Sequence, residues 1–267
     1  MLTIAGSDSG GGAGIQADLK AFARCGVHGA CAITAITAQN TIGVSAIHEV
    51  PAEIVLAQVR TVLGDIRVDA VKVGMLGTVA VTLAVAKALD ELPAGTPVVV
   101  DPVMVAESGA RLLQEDAQRA LVREILPRTS VLTPNLPEAR VLAGEAPEPD
   151  EEVEVQALAR KLLGLGPRVV VVTGGHRARA ADVFVDCAVE GSAVSIEGVR
   201  HPDGAAHGSG CTHSSLLAAQ LSLGRSPLQA ARAARALAGE AVANGLRDVG
   251  AGAGPVDVIG LERVRNA

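Results

Sequence analysis

Val169-Val170-Val171-Val172 is an unbroken run of β-branched residues, and the polar turn Thr173-Gly174-Gly175-His176 follows it directly. Two shorter apolar runs end in the same way, Val98-Val99-Val100 before Asp101-Pro102 and Ser130-Val131-Leu132 before Thr133-Pro134-Asn135. Apolar runs without polar alternation are typical of strands that are covered on both faces, as in a parallel sheet. We therefore predict an α/β fold with a mostly parallel central sheet and helices on both of its faces.

The rest of the chain alternates between strand and helix patterns. Residues 2–5 form an apolar run, a glycine-rich loop follows at 6–14, and Ile15, Leu19 and Phe22 then recur at helical spacing. Further strands are predicted at 30–37, 44–50 and 69–73, helices at 51–64, 78–92 and 226–244, and a hairpin at 182–189 and 192–199 around Glu190-Gly191. Asp150 is predicted to cap a helix after the connector 144–150.

Composition limits the class of protein. The chain has 267 residues, of which 49% are hydrophobic, and its only aromatic residues are Phe22 and Phe184. This length fits one α/β domain over residues 1–267 with a core of Val, Leu, Ile and Ala. The net charge of −6, without a basic cluster, argues against a nucleic acid or a membrane as partner.

The cysteines and the N-terminus suggest a cytoplasmic protein. Cys25, Cys31, Cys187 and Cys211 form no CxxC pair, so neither a zinc site nor a disulfide framework is expected. Residues 1–6 lack the basic segment of a signal peptide, and no apolar run is long enough to span a bilayer.

Polar residues at the ends of the predicted strands indicate where a ligand binds. Asp101, Asn135 and Thr173 each follow a buried run. Parallel sheets bind ligands outside the carboxyl ends of their strands, so we expect these residues to share one crevice with Cys211.

Asn135 and Glu138 allow two interpretations. Asn135-Leu136-Pro137-Glu138 has the spacing of a helix N-cap with its capping-box partner. The alternative is that the two oxygen-bearing side chains hold a hydrated Mg²⁺ ion, which needs few protein ligands.

The stretch His207-Gly208-Ser209-Gly210-Cys211-Thr212 runs into an apolar helix predicted at 214–223, with Cys211 in its first turn. The start of a helix attracts anions, and it also favours a thiolate over a thiol. We therefore expect the pKa of Cys211 to lie below that of a free cysteine, and Cys211 to be alkylated before the other three cysteines. The alternative is a small buried side chain that packs under the turn.

The glycine-rich loop at 6–14 matches neither common phosphate-binding motif. No Gly-Lys-Ser/Thr follows it, and Ile15 stands where GxGxxG needs its third glycine. A dinucleotide-dependent oxidoreductase is therefore disfavoured. The loop is either a flexible turn between strand and helix or a loop of another kind that binds a ligand.

Taken together, the motifs extend along the whole chain. They are Thr3-Ile4-Ala5-Gly6-Ser7-Asp8 with SGGGAGIQADLK at 9–20, Ala38-Gln39-Asn40-Thr41, Lys72-Val73-Gly74-Met75-Leu76, Asp101-Pro102-Val103-Met104, LTPNLPEA at 132–139, Gly174-Gly175-His176 and the stretch 207–212. In these motifs the chain resembles the hydroxymethylpyrimidine/phosphomethylpyrimidine kinases of the ribokinase-like superfamily.

The resemblance implies a three-layer α/β/α sandwich, ATP and Mg²⁺ as cofactors, and a homodimer. It implies phosphorylation of hydroxymethylpyrimidine and then of its monophosphate, in thiamine diphosphate synthesis. Cys211 would be the base, and the Gly208, Ser209 and Gly210 amides would hold the phosphoryl group. The other implied contacts are Gln39, Ala13, Asp18, Met75 and Met104 at the pyrimidine, Asp101, Asn135, Thr173 and Gly175 at the nucleotide, and Asn135 and Glu138 at Mg²⁺.

Two residues depart from the family pattern. Thr173 stands where these kinases commonly have Lys, and Glu107 where a basic or small residue is usual. A pyridoxal or pyridoxine kinase is kept as an alternative, because close relatives share the Gly-Ser/Thr-Gly-Cys turn. Thr173 is the only hint of a further alternative, a regulator that binds nucleotide or pyrimidine without catalysis. Gln39 favours the pyrimidine, because its carboxamide matches the adjacent ring nitrogen and amine of an aminopyrimidine, an edge that pyridoxal lacks.

Overall fold

The computed structural model describes residues 1–106, 109, 112–145, 152–175, 180–189, 192–202 and 204–261. Glu107, Asp150, His176 and the Glu190-Gly191 turn, which figure in the sequence predictions, lie outside the described residues. No helix in the described part of the chain is both long and apolar enough to cross a bilayer.

The described residues form one nine-stranded sheet. Its strands are β1 (Leu2–Asp8), β2 (Ala30–Gln39), β3 (Val44–Glu49), β4 (Val71–Val73), β5 (Val98–Val100), β6 (Val131–Leu132), β7 (Val169–Val172), β8 (Ala181–Asp186) and β9 (Ala193–Glu197). The strand order is β3-β2-β1-β4-β5-β6-β7-β8-β9. The central strands β2, β1, β4, β5, β6 and β7 are parallel to one another. At the two edges of the sheet, β3, β8 and β9 pair antiparallel.

Eight α-helices connect these strands within the described residues. They are α1 (Gly14–Arg24), α2 (Ala52–Asp65), α3 (Val79–Asp90), α4 (Glu115–Ala120), α5 (Leu136–Ala143), α6 (Glu152–Leu163), α7 (Ser209–Ser222) and α8 (Pro227–Ala243). A π-helical turn, Leu121–Ile125, and a 3₁₀ turn, Leu126–Arg128, continue α4. The predicted alternation of strand and helix is confirmed.

Helices cover both faces of the sheet. Alternate strand residues divide between two cores, so that Val98 and Val100 belong to one and Val99 to the other. Helices α2 to α6 pack in the first core, and α1, α7 and α8 in the second. The predicted three-layer α/β/α architecture is therefore confirmed.

Several element boundaries differ from the predictions. β1 continues to Asp8 because its last residues pair with the end of β2, where Asp8 lies opposite Thr37. α7 begins at Ser209, five residues before the predicted start, because Gly208 adopts a left-handed conformation and is the N-cap. The capping box predicted for α8, between Ser226 and Gln229, is confirmed.

The strand order reverses at β1, since β2 lies on one side of it and β4 on the other. Such a switch point opens a crevice at the carboxyl ends of the strands, where α/β proteins bind their ligands. The glycine-rich loop follows β1 and the 74–77 segment follows β4, so both lie at this end of the sheet.

Candidate active site

The glycine-rich loop is held in shape by the carboxylate of Asp8. Its Oδ1 accepts the backbone N–H of Gly10 at 2.8 Å, and its Oδ2 accepts those of Gly12 at 3.0 Å and Ala13 at 2.9 Å. Gly14 has a φ of +56°, and a Cβ there would overlap the carbonyl oxygen of Gly6. The loop is therefore a hydrogen-bonded structure rather than a loose connection between strand and helix.

The turn before α7 lies against this loop. Gly208 is the N-cap, with a φ of +80°, and a Cβ on it would overlap the carbonyl oxygen of Gly12. No side chain caps α7 and its first turn holds no acidic residue, so the helix's own side chains do not neutralise its positive end. This end of the helix suits an anion such as a phosphate.

A fully buried lysine lies between two carboxylates beneath this turn. Lys72 Nζ is 3.0 Å from Asp18 Oδ1 and 3.8 Å from Asp101 Oδ2. Burial alone would lower the pKa of Lys72, but Asp18, Cys211 and Asp101 together raise it, so this lysine stays charged. The cluster sits between β4 and the helices α1 and α7.

Hydroxyl groups complete the cluster. Thr3 Oγ1 donates to Asp18 Oδ2 at 2.6 Å, and Ser215 Oγ donates to Asp18 Oδ1 at 2.7 Å. Ser214 Oγ donates to Asp101 Oδ2 at 3.1 Å. Both oxygens of Asp18 are thus already paired, so direct contact of Asp18 with a pyrimidine stays a prediction while its part in the ion cluster is observed.

Cys211 lies in the first turn of α7, as predicted, but the prediction of a lowered pKa is wrong. Burial, together with the carboxylates of Asp101 and Asp18, raises the pKa of its thiol to about 12. Lys72 and a hydrogen bond from the Gly14 N–H act in the opposite direction but do not outweigh burial. The thiol is therefore protonated at neutral pH.

This result reverses the expected order of cysteine reactivity. Cys187 is exposed, whereas burial raises the pKa of Cys25, Cys31 and Cys211. Since the thiolate is the reactive form, iodoacetamide at pH 7.5 should modify Cys187 first and Cys211 late. Peptide mass spectrometry over a time course measures the order, and early modification of Cys211 would contradict the raised pKa.

The capping box between Asn135 and Glu138 is confirmed. Asn135 Oδ1 accepts the Glu138 N–H at 2.9 Å, and Glu138 Oε2 accepts the Asn135 N–H at 2.9 Å. Burial raises the pKa of Glu138 to about 8, with Asp101 as a second cause, although backbone N–H groups of Asn135 and Met104 lower it. The carboxyl groups of Glu138 and Asp101 therefore lie close enough to repel each other.

These two carboxyl groups suit a divalent cation. A cation beside them would relieve their repulsion and favour the ionised form of Glu138. No three His, Cys, Asp or Glu side chains of the described residues are grouped to hold a metal. Two carboxyl groups are a donor set that fits Mg²⁺, because this ion keeps several of its water ligands and needs few protein ligands.

The other predicted nucleotide residues lie at the next strand end. Thr173 donates its backbone N–H to the Pro134 carbonyl at 2.9 Å and forms a β-bridge with Asn135. Gly175 is exposed, with open space around its Cα. The structure therefore brings Asn135 and Thr173 together. The carboxylate of Asp101 raises the pKa of both Glu138 and Cys211, so it lies close to both of these side chains.

Three of the residues predicted to surround the pyrimidine, Gln39, Ala13 and Met75, lie at the glycine-rich loop. Gln39 ends β2, and its backbone exchanges hydrogen bonds with Ser9 Oγ at 2.7 and 2.8 Å. Its Oε1 accepts from Thr37 Oγ1 at 3.1 Å, so its amide can still donate to a ligand. Met75 is buried after β4, and Met104 is buried after β5. Ala13 is the N-cap of α1.

Sequence reasoning missed the roles of Lys72, Ser214, Ser215 and the pair Asp8 and His207. A lysine inside the apolar run Ala70-Val71-Lys72-Val73 was a usable signal, because a lysine in a covered strand must be paired. The serines gave no such signal, since small hydroxyl residues are common in the first turn of a helix.

Comparison with known proteins gives a consistent picture. Residues 8–257 match the family model described as phosphomethylpyrimidine kinase. A hydroxymethylpyrimidine/phosphomethylpyrimidine kinase of Rhizobium meliloti is 46% identical, over 96% of this chain and 95% of that protein. The phosphomethylpyrimidine kinase of Clostridium difficile superposes with a TM-score of 0.76 at 36% identity, over 88% of this chain and 95% of that one.

A vitamin kinase of different name is also similar in structure. The pyridoxal kinase of Staphylococcus aureus, in complex with AMP-PCP and pyridoxal, superposes with a TM-score of 0.83 at 32% identity. The match covers 96% of this chain and 92% of that one. The fold therefore does not distinguish the two substrate classes.

Proposed function

Because this chain belongs to the phosphomethylpyrimidine kinase family, we propose that it transfers the γ-phosphoryl group of ATP to hydroxymethylpyrimidine and then to the monophosphate, in thiamine diphosphate synthesis. The observation that carries this proposal is the contact between the glycine-rich loop and the 208–211 turn. It would place an acceptor alcohol beside an anion site at the end of a helix.

The anion site supports phosphoryl transfer. This reaction needs alignment and neutralisation of charge more than covalent chemistry. The amides of Gly208, Ser209 and Gly210 would hold the phosphoryl group, with the uncapped end of α7 supplying positive potential. Asp101, Asn135, Thr173 and Gly175 would line the nucleotide side, and the complex of a similar kinase with AMP-PCP supports ATP as the donor.

Asn135 and Glu138 would serve Mg²⁺, together with Asp101. The Mg²⁺ ion would supply positive charge to the phosphates. Burial and the neighbouring Asp101 keep Glu138 protonated near neutral pH. Binding of the ion would therefore be accompanied by loss of the Glu138 proton. The oxygen of Asn135 caps α5 and would act mainly by orienting Glu138.

Cys211 would accept the proton of the alcohol. Its thiol lies beside Lys72, which favours the thiolate, although burial keeps it protonated at neutral pH. Base catalysis by Cys211 therefore proceeds through the thiolate, which forms when the thiol loses its proton to solvent before transfer and which then takes the proton of the alcohol. Activity should then increase with pH across the neutral range.

Gln39 supports the pyrimidine over pyridoxal. Its amide group is free to donate, and an aminopyrimidine offers a ring nitrogen beside an exocyclic amine. Ala13, Met75 and Met104 would surround the ring, and Asp18 would support the site from the ion cluster. A paired hydrogen bond of this kind rejects ligands that cannot match it.

The test is to incubate the protein with ATP, Mg²⁺ and either hydroxymethylpyrimidine or pyridoxal, and to resolve mono- and diphosphate products. Gln39→Leu should lower kcat/KM for hydroxymethylpyrimidine by about 10- to 100-fold, because a buried polar pairing is lost. Pyridoxal phosphorylation should change much less. A larger loss for pyridoxal would favour a pyridoxal kinase, and absence of any product would favour a binding protein.

We also propose that the protein forms a homodimer through the edge of the sheet at β3. Residues 45–49 of this strand are exposed. Ile47 is 43% exposed, Ile36 on the neighbouring strand is 51% exposed, and Ile42 in the turn between them is 67% exposed. An exposed edge with apolar side chains is the kind of surface that a second copy covers.

A further inference from the structure

Asp8 and His207 meet in the structure although 199 residues separate them in the sequence. His207 Nε2 lies 2.9 Å from Asp8 Oδ2, and the two side chains are 8% and 3% exposed. Asp8 is the last residue of β1, and His207 directly precedes Gly208. This pair therefore joins the glycine-rich loop to the turn that begins α7.

Each partner is fixed by further hydrogen bonds. The Asp8 carboxylate accepts three backbone N–H groups of the glycine-rich loop in addition to the imidazole. Burial alone would raise the pKa of Asp8, but the bond from His207 and these amides lower it, so Asp8 is ionised at neutral pH. The backbone of His207 donates to Gly254 O at 3.2 Å and accepts from Val256 N at 3.1 Å.

The glycine-rich loop and the turn also touch directly. A Cβ on Gly12 would overlap the His207 imidazole, and a Cβ on Gly208 would overlap the Gly12 carbonyl. The Gly14 N–H bonds to the thiol of Cys211. Any movement of His207 would therefore change the spacing of both segments.

We propose that Asp8 and His207 are positioning residues that set the distance between the acceptor alcohol and the phosphoryl group. This inference rests on the proposed function, in which the glycine-rich loop borders the acceptor and the 208–211 turn holds the phosphoryl group. Neither side chain contacts the reacting atoms. Their effect is on alignment, and a displacement of about 1 Å can lower a rate by roughly 10²-fold.

The test compares His207→Gln with His207→Leu. The amide nitrogen of Gln reaches approximately the position of imidazole Nε2 and keeps a donor for Asp8, whereas Leu fills the space without one. His207→Leu should lower kcat by about 10- to 100-fold, with the ATP Kd and the KM for hydroxymethylpyrimidine changed by less than about threefold. His207→Gln should recover most of the lost kcat.

A second readout separates alignment from general damage. In His207→Leu, phosphorylated pyrimidine formed per ADP released should fall, because water competes with a misaligned alcohol. Amide hydrogen exchange, measured without ligands, should become faster in residues 9–13 while β5 and β7 stay protected. If the Leu variant does not fold, His207→Asn replaces it, since its shorter amide does not reach Asp8.

Three results would overturn the inference. The first is native turnover in His207→Leu, or in His207→Asn where it replaces the Leu variant. The second is a kcat of His207→Gln as low as that of His207→Leu, and the third is unchanged amide exchange of residues 9–13 in His207→Leu. An inactive wild-type protein would overturn the proposed function instead. The exchange experiment would still decide whether the pair holds the loop.

Discussion

Cys211→Ala is expected to lower kcat by about 10²- to 10⁴-fold, which is the usual contribution of a general base. The side chain lies in the first turn of α7, beside Lys72 and under the glycine-rich loop. The variant should still bind ATP, because the proposed phosphate contacts are backbone amides. Steady-state kinetics and a separate measurement of ATP affinity check both statements.

The pH dependence of kcat tests whether the thiolate of Cys211 is the base. Burial raises the pKa of Cys211 to about 12, so the thiolate fraction grows roughly tenfold per pH unit from pH 7 upward. If the thiolate is the base, kcat of the wild type increases over this range, and Cys211→Ala loses the increase. Cys211→Ser keeps the size of the side chain without an accessible anion, so it should be as slow as Ala. Near-native turnover in Ser and Ala would make Cys211 a packing residue.

Strand positions could be predicted from the sequence because they depend on local patterns. The run Val169–Val172 is β7, and Val98–Val100 is β5, both buried as expected. Asn135 and Glu138 form the capping box that their spacing indicates. In each case the decisive interactions lie within a few residues along the chain.

The pKa of Cys211 could not be predicted in this way. The sequence places the cysteine at the start of a helix, where the helix dipole favours a thiolate. The opposing effects come from burial and from Asp18 on α1 and Asp101 after β5, which are distant in the sequence. The same limit applies to Asp8 and His207, whose contact depends on the path of the whole chain.

Lys72 could be predicted only in part. Its place in an apolar strand indicates that it forms a buried ion pair, but the sequence does not identify its partners. The structure supplies Asp18 and Asp101, and all three side chains are nearly or fully inaccessible to water. A buried charge that loses its partner is far more costly than a surface charge. This difference leads to the largest stability effect that we expect.

Lys72→Met should lower the free energy of unfolding by about 3–5 kcal/mol, because it leaves two buried carboxylates without their cation. Met has a similar length, so little volume is lost. Activity should fall as well, since Lys72 favours the thiolate of Cys211. Urea denaturation measures the first effect, and turnover below the melting temperature measures the second.

Arg67→Met is the matched control, because Arg67 pairs with Asp69 at 2.8 Å but is 90% exposed. Its removal should leave the unfolding midpoint nearly unchanged, as is usual for surface ion pairs. Adding Asp18→Asn to Lys72→Met should restore part of the stability, because one unpaired carboxylate is then removed. Activity should remain low in this double variant, since the cation next to Cys211 is still missing. If Lys72→Met and Arg67→Met unfold at the same urea concentration, the ion cluster does not stabilise the fold.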